Sequence, residues 1–256
     1  MALLTVLLSH LSASAVEASV DHVRRMAPDS RLILCHGGRR PDFDAVRFED
    51  KLFIENRGLR GPSAAFQSYN DTLGEVFDRF VAPDESVDKI LMLEFDQVLL
   101  SREFTQRLIQ LMDNSGADLL GKTCVDRTAT NWWHRVRYRD DPVLLRFLES
   151  VSTREDRRRL YGCLGTGFAM RRQVLEAYTA VTHPEHIYVE LYLPTLVHHL
   201  GFRVDDIDRY GDLYAHVRSR PPYDLAAALE LQRAGAVVLH PFKDVEDLPR
   251  LVDTTQ

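Results

Sequence analysis

The sequence predicts an α/β protein built on one open, mostly parallel sheet with helices on its faces. Three observations predict it. Short apolar runs of four to six residues recur with no polar alternation, which is how strands buried on both faces read. Helical periodicity separates them. The first 35 residues already hold a strand, a helix and a second strand, the unit from which parallel sheets are built. At 256 residues, the chain is long enough for a large core without disulfide or metal staples.

Leu3 to Leu8 reads as the first buried strand. The apolar start followed by Ala13, Ser14 and Ala15 has the outline of a secretory leader, but no basic residue precedes it. Treating it as a leader would also remove the first strand. Ser12 to Ala27 reads as a helix, with Ser12 or Ser14 as cap, Val16, Val20 and Val23 on one face, and Pro28 beyond its end. Arg31 to Cys35 is the second strand, broken by Gly37 and Gly38. Leu52 to Glu55 is a short third strand, and residues 56–62 form a turn-rich loop. Ser63 to Phe80 reads as a helix. Lys89 to Glu94 is a fourth strand, followed by a helix from Ser101 to Met112 with a serine cap and Glu103 in its first turn. Ala117 to Leu120 is another strand.

Gly121 to Leu160 changes character, with many arginines and aromatic residues around Trp132, Trp133 and His134. The basic run from Arg154 to Arg159 reads as a solvated helix face. Strand patterning returns from Gly162 to Met170, followed by helices from Arg171 to Tyr178 and from Ile187 to Leu200. Gly201 closes the second of these. Phe202 to Val204 is a strand, and Asp205, Asp206 and Asp208 read as a solvated acidic loop. A helix from Asp224 to Ala234 and a strand from Ala236 to Leu239 complete the chain. There is no internal repeat, so residues 1–256 read as one domain. Its first 120 residues are the more regular half.

Composition narrows the function. Acidic residues outnumber basic ones by 38 to 32, which argues against a nucleic-acid partner, since phosphate recognition needs clustered cations. No stretch approaches the ~18 apolar residues of an integral membrane span. Three cysteines, Cys35, Cys124 and Cys163, form no C-x-x-C pair and fit a reducing, cytoplasmic setting. Oligomeric state is open, a homodimer included.

The strongest chemical feature runs from Ile90 to Leu100. Glu94 and Asp96 follow four apolar residues, at the end of a strand. In open parallel sheets, ligands bind beyond the carboxyl ends of the strands. Residues two apart in an extended chain point the same way. Two carboxylates so placed suit Mn²⁺ or Mg²⁺, which keep further positions for water and substrate phosphate. The same spacing also fits a turn and a helix cap.

An apolar strand, then acid-x-Asp, then an apolar pair and a helix resembles the D-x-D region of glycosyltransferases with the GT-A fold, a Rossmann-like fold. Three further stretches resemble the same family in the same order. Glu55 to Asn70 resembles the glycine-rich loop and small-residue helix beneath the sugar nucleotide. Tyr161 to Leu175 resembles the glycine-rich acceptor-side strand and the helix start after it. Val189 to Val204 resembles the helix with an acidic N-terminus that ends in glycine, an aromatic residue, Arg and Val. Together these stretches span residues 3 to 205. The family's first acidic position is usually Asp; here it is Glu94, which lengthens the reach and makes Asp96 the stronger ligand. Where the family often has an Asp after the second strand, this chain has the loop from His36 to Asp44.

The resemblance implies a metal-dependent, hexosyltransferase-like glycosyltransferase. It would move a sugar from a nucleotide-diphosphate donor to the hydroxyl of a small-molecule or glycan acceptor. Glu190 is then the general-base candidate. Ser9, Arg57, Gly58, Arg60, Glu94, Phe95, Asp96 and Lys243 are the donor-side candidates. Metal candidates are Asp96, Glu94, His240 and His216; His240 is preferred because it ends a strand and has Lys243 close by. Trp132, Trp133 and His134 fit either a stacking surface for an acceptor ring or a cover over a loop-rich core. His198 and His199 read as packing or surface residues. Two other readings remain: a sugar nucleotidyltransferase of related fold, and a non-catalytic nucleotide-sugar-binding relative. The first usually carries a glycine-rich loop after its first strand, where this chain has Ser9 to Ser14.

Overall fold

In a computed structural model, residues 2–54, 64–184 and 187–251 are described. The first half alternates regularly: β1 (Ala2–Ser9), α1 (Ala13–Met26), β2 (Arg31–His36), α2 (Arg40–Ala45), β3 (Lys51–Phe53), α3 (Ala64–Val76), β4 (Val87–Glu94), β5 (Val98–Leu99), α4 (Phe104–Ser115) and β6 (Leu119–Gly121). Shorter elements follow: β7 (Val125–Asp126), α5 (Trp133–Tyr138), α6 (Pro142–Val151), β8 (Tyr161–Gly162), β9 (Ala169–Arg171), α7 (Arg172–Thr179), α8 (Val189–His199), β10 (Val204–Asp206), β11 (His216–Val217), α9 (Leu225–Arg233) and β12 (Val238–His240).

The main sheet has seven strands in the order β10-β6-β9-β4-β1-β2-β3. All its pairings are parallel except those of β9, which runs antiparallel between β4 and β6. This is the open, mostly parallel α/β sheet that the apolar runs predict. β1 is central. Its even residues Leu4 and Val6 enter one core, with Ile33, Ile90 and Met92 beside them and α7 and α8 above. Its odd residues Leu3 and Leu7 enter the other, with Leu34, Leu93, α1 and α4. The period-two geometry of a strand explains why such strands are apolar throughout. Residues 2–9 form β1, the strand reading of this segment, paired with β2 and β4.

Several expectations shift, each for a local reason. The helix predicted over Ser63 to Phe80 stops as an α-helix at Val76 and widens into a π-helical turn over Phe77–Val81. Ser12 stands at the N-cap of α1 without a capping side-chain bond. Ser101 caps nothing directly: its hydroxyl accepts from the Glu103 amide at 3.2 Å, and the helix begins at Phe104. The strand expected over Gly162 to Met170 splits into β8 and β9, because Gly167 between them has φ +66°. Glu55 lies outside the described residues.

Two polar segments differ from expectation. Arg154 to Arg159 is not a helix face. Its first arginine donates to the carbonyls of His198 (3.1 Å), Gly201 (2.6 Å) and Phe202 (3.3 Å), satisfying the end of α8. Asp205 is not a solvated loop residue. It lies buried in β10 and accepts from Arg203, Arg209 and Tyr210 at 3.0, 2.7 and 2.6 Å. Residues 121–160, where the sequence changes character, hold β7, α5 and α6, and β7 pairs with β8 just beyond.

A candidate metal and donor site at the switch point

The chain runs from β1 to β2 and β3 on one side of the sheet, and β4 returns on the other side of β1. Open α/β sheets hold ligands in the crevice at such a reversal, beyond the carboxyl ends of the strands, here β1 and β4. Leu8 pairs with Glu94 in register, so Ser9 and His10 lead into the crevice beside Glu94, Phe95 and Asp96. Ser9 is buried, and its hydroxyl accepts from the Leu11 amide at 3.3 Å.

The other wall comes from the end of the chain. β12 pairs antiparallel with β5, two residues after Asp96. The Phe242 amide donates to the Asp96 carbonyl at 2.8 Å. These backbone bonds bring His240 and Lys243 onto the acidic strand end, across more than 140 residues of sequence. Glu94, Asp96 and His240 each offer one ligand atom, all within 4.8 Å of one another. Lys243 donates to Asp96 Oδ2, and its ammonium lies 5.0 Å from the centre of the Phe95 ring.

The polar accounting of this cluster is incomplete. His240 is buried, and its Nδ1 lies 2.7 Å from the Arg218 carbonyl. A carbonyl only accepts, so Nδ1 carries a proton and Nε2 is the ring atom turned to the acidic strand end. Nε2 faces Asp96 Oδ1 at 3.4 Å. The contact falls short of a hydrogen bond, and buried Oδ1 has no hydrogen-bond partner. Burial works to raise the Asp96 carboxyl, but His240 and Lys243 outweigh it and hold the carboxyl below its usual range. At Glu94 the balance is reversed: desolvation first, then the charge of Asp96, outweighs the pull of His240 and Lys243 and pushes the carboxyl up to about 7. Two carboxylates and an imidazole lone pair converging on one point fit a divalent cation with mixed oxygen and nitrogen ligands. The Nδ1–H to carbonyl bond is the usual support of a metal-ligating histidine.

His216 is not part of this group. In the parallel register of β11 and β12 it sits opposite Leu239, one position out of step with His240. The pleat therefore turns it to the other face. Arg57, Gly58 and Arg60 lie outside the described residues.

Glu190 lies on a second wall. Pro194, four residues on, has no N–H, so the helix leaves the Glu190 carbonyl free. The Cys163 amide donates to that carbonyl at 2.9 Å, and the Gly165 amide donates to Glu190 Oε1 at 3.0 Å. A Cβ on Gly165 would stand 3.1 Å from that same side chain. Glu190 Oε2 lies 3.6 Å from His134 Nε2, and burial raises its carboxyl. His134 stacks on Tyr188 at 3.9 Å, with Trp132 edge-on at 4.9 Å. Trp132 packs so closely over Gly162 that a Cβ there would lie 2.4 Å from its ring. Trp132 thus covers the β7–β8 pair, whereas Trp133 is exposed. His199 is a packing residue: fully buried, with Ser152 Oγ at 2.8 Å and the Arg159 carbonyl at 2.9 Å.

Sequence reasoning missed two supports. Gln97 is buried directly behind Asp96, and its Oε1 accepts from Thr166 Oγ1 at 2.6 Å. It ties the acidic strand end to the loop that holds Glu190. The Arg218 carbonyl, which fixes the His240 tautomer, is a backbone atom and leaves no trace in residue identity. Among the described residues, no helix is long and apolar enough to cross a membrane.

No family model matches the sequence, and no curated protein matches it. Three solved structures show a loose likeness. One is a mannosyltransferase from Pyrobaculum calidifontis in complex with GDP-Man and Mn²⁺, at 12% identity and TM-score 0.44, covering 80% of this chain and 54% of that one. The chain thus spans about half the length of that protein. A second is the galactosyltransferase LgtC with donor and acceptor sugar analogs, at 14% identity and TM-score 0.43, covering 97% of this chain and 94% of that one. A third is a glycosyltransferase involved in glycosylation of the major capsid of PBCV-1, at 10% identity and TM-score 0.45, covering 96% and 98%. All three are glycosyltransferases, and at these identities and superpositions the likeness assigns no activity to this chain.

Proposed function

We propose that this chain is a metal-dependent glycosyltransferase with a nucleotide-diphosphate sugar as donor and a hydroxyl group as acceptor. One observation carries the reading: Glu94, Asp96 and His240 bring three ligand atoms within 4.8 Å of one another at the switch point, and the buried Asp96 Oδ1 among them has no hydrogen-bond partner. A cation resolves that arrangement, and the sequence resemblance to GT-A glycosyltransferases supplies the reaction class. Asp96, His240 and Glu94 would hold Mn²⁺ or Mg²⁺, Asp96 being the principal ligand. Imidazole among the donors favours Mn²⁺. When bound, the metal supplies positive charge against the departing diphosphate.

The chain's own groups divide the remaining work. Lys243, at the crevice mouth over Phe95, offers its ammonium to a phosphate. Ser9 lines the floor. Glu190, its carboxylate oriented by the Gly165 amide and made more basic by burial, takes the proton of the acceptor hydroxyl. On this reading residues 1–120 form the donor half and residues 121–256 the acceptor half, with His240 and Lys243 returning to the donor.

Calorimetric titration with UDP and GDP, with and without Mn²⁺, tests the proposal. Binding of one nucleotide that depends on the metal is expected. Absence of metal-dependent binding to any nucleoside diphosphate would overturn it. Slow hydrolysis of a sugar nucleotide would then separate an enzyme from a binding relative.

A further inference from the structure

All three of the large hydrophobic residues most exposed among the described residues fall within eleven positions: Trp133 at 61%, Val136 at 46% and Val143 at 45%. Scattered exposed hydrophobics need no explanation, but a cluster does. Trp133, Val136 and Arg137 lie at i, i+3 and i+4 on α5, and so share one face. Val143 and Arg146 lie three apart on the outer side of α6, opposite buried Leu144 and Leu148. The Asp141 amide donates to the Tyr138 carbonyl at 3.1 Å, closing a tight turn between the two helices.

The charge around the cluster runs against the rest of the chain. Residues 133–146 hold four arginines and no lysine against two carboxylates, in a protein whose net charge is −6. Arg137, Arg139 and Arg146 are exposed in the same segment, Arg139 with Asp140 3.0 Å away. The Arg137 guanidinium lies 5.8 Å from the centre of the Trp133 ring. Long arginine stems that lie along apolar side chains and send their charge outward suit the boundary between lipid tails and headgroups, as does an exposed tryptophan. Three partly exposed side chains fall far short of the ~800 Å² per partner that a stable protein interface buries. A lipid surface asks less: a few inserted side chains and several cations.

We propose that α5 and α6 form a peripheral docking face for an anionic lipid surface. The face borders the acceptor side, because His134, between Trp133 and the next arginine, stacks on Tyr188 and reaches Glu190. A protein resting on this face holds Glu190 close to hydroxyl groups displayed at a membrane. The inference about docking stands whether or not the transferase reading holds.

Sedimentation with phosphatidylcholine vesicles, with and without phosphatidylglycerol, tests it using neither donor nor acceptor. The protein is expected to bind only the anionic vesicles and to dissociate as salt rises. Replacing Arg137, Arg139 and Arg146 singly by Gln should each weaken partition about fivefold. Trp133→Ser combined with Val136→Ser should weaken it further at constant charge. The chain has two tryptophans, so a blue shift of emission on vesicles that disappears in Trp133→Phe reports insertion at that position. Equal binding to neutral and anionic vesicles, or full binding by the Trp133→Ser/Val136→Ser protein, overturns the proposal. So does a concentration-dependent dimer, seen by sedimentation velocity, that Trp133→Ser dissolves; a second copy then covers the face.

Discussion

Strand β4 carries charge at both of its ends, and the two ends treat it differently. At the start, Lys89 is buried, with its ammonium 2.6 Å from Asp88 and 3.1 Å from Asp113. Arg171 closes the group, 3.6 Å from Asp113 and donating to the carbonyls of Met112 and Ala117. Each cation there has a carboxylate or carbonyl to meet. At the other end, two carboxylates crowd together, one buried oxygen has no donor, and Glu94 is pushed up to about 7. A charged strand end is therefore not a site by itself. The site is the end where carboxylates crowd together and a buried oxygen is left without a donor, even with Lys243 beside it.

The sharpest break of that contrast is Asp96→Asn. It removes the charge and halves the oxygen ligands of that side chain while keeping its shape. Outer supports of metal ligands are worth up to ~100-fold in affinity, so a direct ligand should cost at least about 100-fold, or ~2.8 kcal/mol. Mn²⁺-dependent nucleotide binding by calorimetry reads this. Unchanged affinity would remove Asp96 from the site.

Gly167→Ala tests the support behind the acidic end. Gly167 has φ +66°, and a Cβ there would lie 2.2 Å from buried Gln97 Nε2. Left-handed strain and that collision should cost about 2 kcal/mol, seen as a lower urea midpoint. A wild-type midpoint would show that the loop yields and that Gln97 is no fixed strut. His240→Gln comes next. It keeps a polar side chain but loses the imidazole lone pair held by Arg218. A loss of about tenfold in Mn²⁺ affinity is expected, with nucleotide binding measured in Mg²⁺ less affected; equal loss in both metals would point to packing instead.

The contrast also explains what the sequence could show. β1, β2 and β4 were legible because each carries an apolar run buried on both faces. Glu94 and Asp96 were legible because they end such a strand. His240 was only half legible: its place at a strand end is local and made it the preferred histidine, but its pairing with β5 is a tertiary fact, and His216 stayed a candidate until the register of β11 set it on the other face. Asp205 and Arg154 look like surface charge in any window of sequence; they are structural because distant carbonyls, guanidinium groups and a tyrosine hydroxyl close around them.

The smallest effect belongs to the satisfied end. In Lys89→Met the stem of the side chain is kept and only the ammonium is lost. Buried ion pairs replaced by apolar residues of similar volume are often neutral, because the desolvation of the charges disappears with their attraction. The orphaned partners are not trapped: the Asp88 and Asp113 side chains are 27% and 48% exposed and can rehydrate, and Arg171 still faces Asp113. Unfolding in urea should therefore move by less than about 1 kcal/mol. Titration with Mn²⁺ and nucleotide should match the wild type, since the whole length of β4 separates Lys89 from Asp96. A loss of ~3 kcal/mol or more would mean that these ion pairs hold the strand in place. A change in metal affinity with unchanged stability would mean that the two ends of β4 are electrostatically coupled, and the division between a structural end and a functional end would fall.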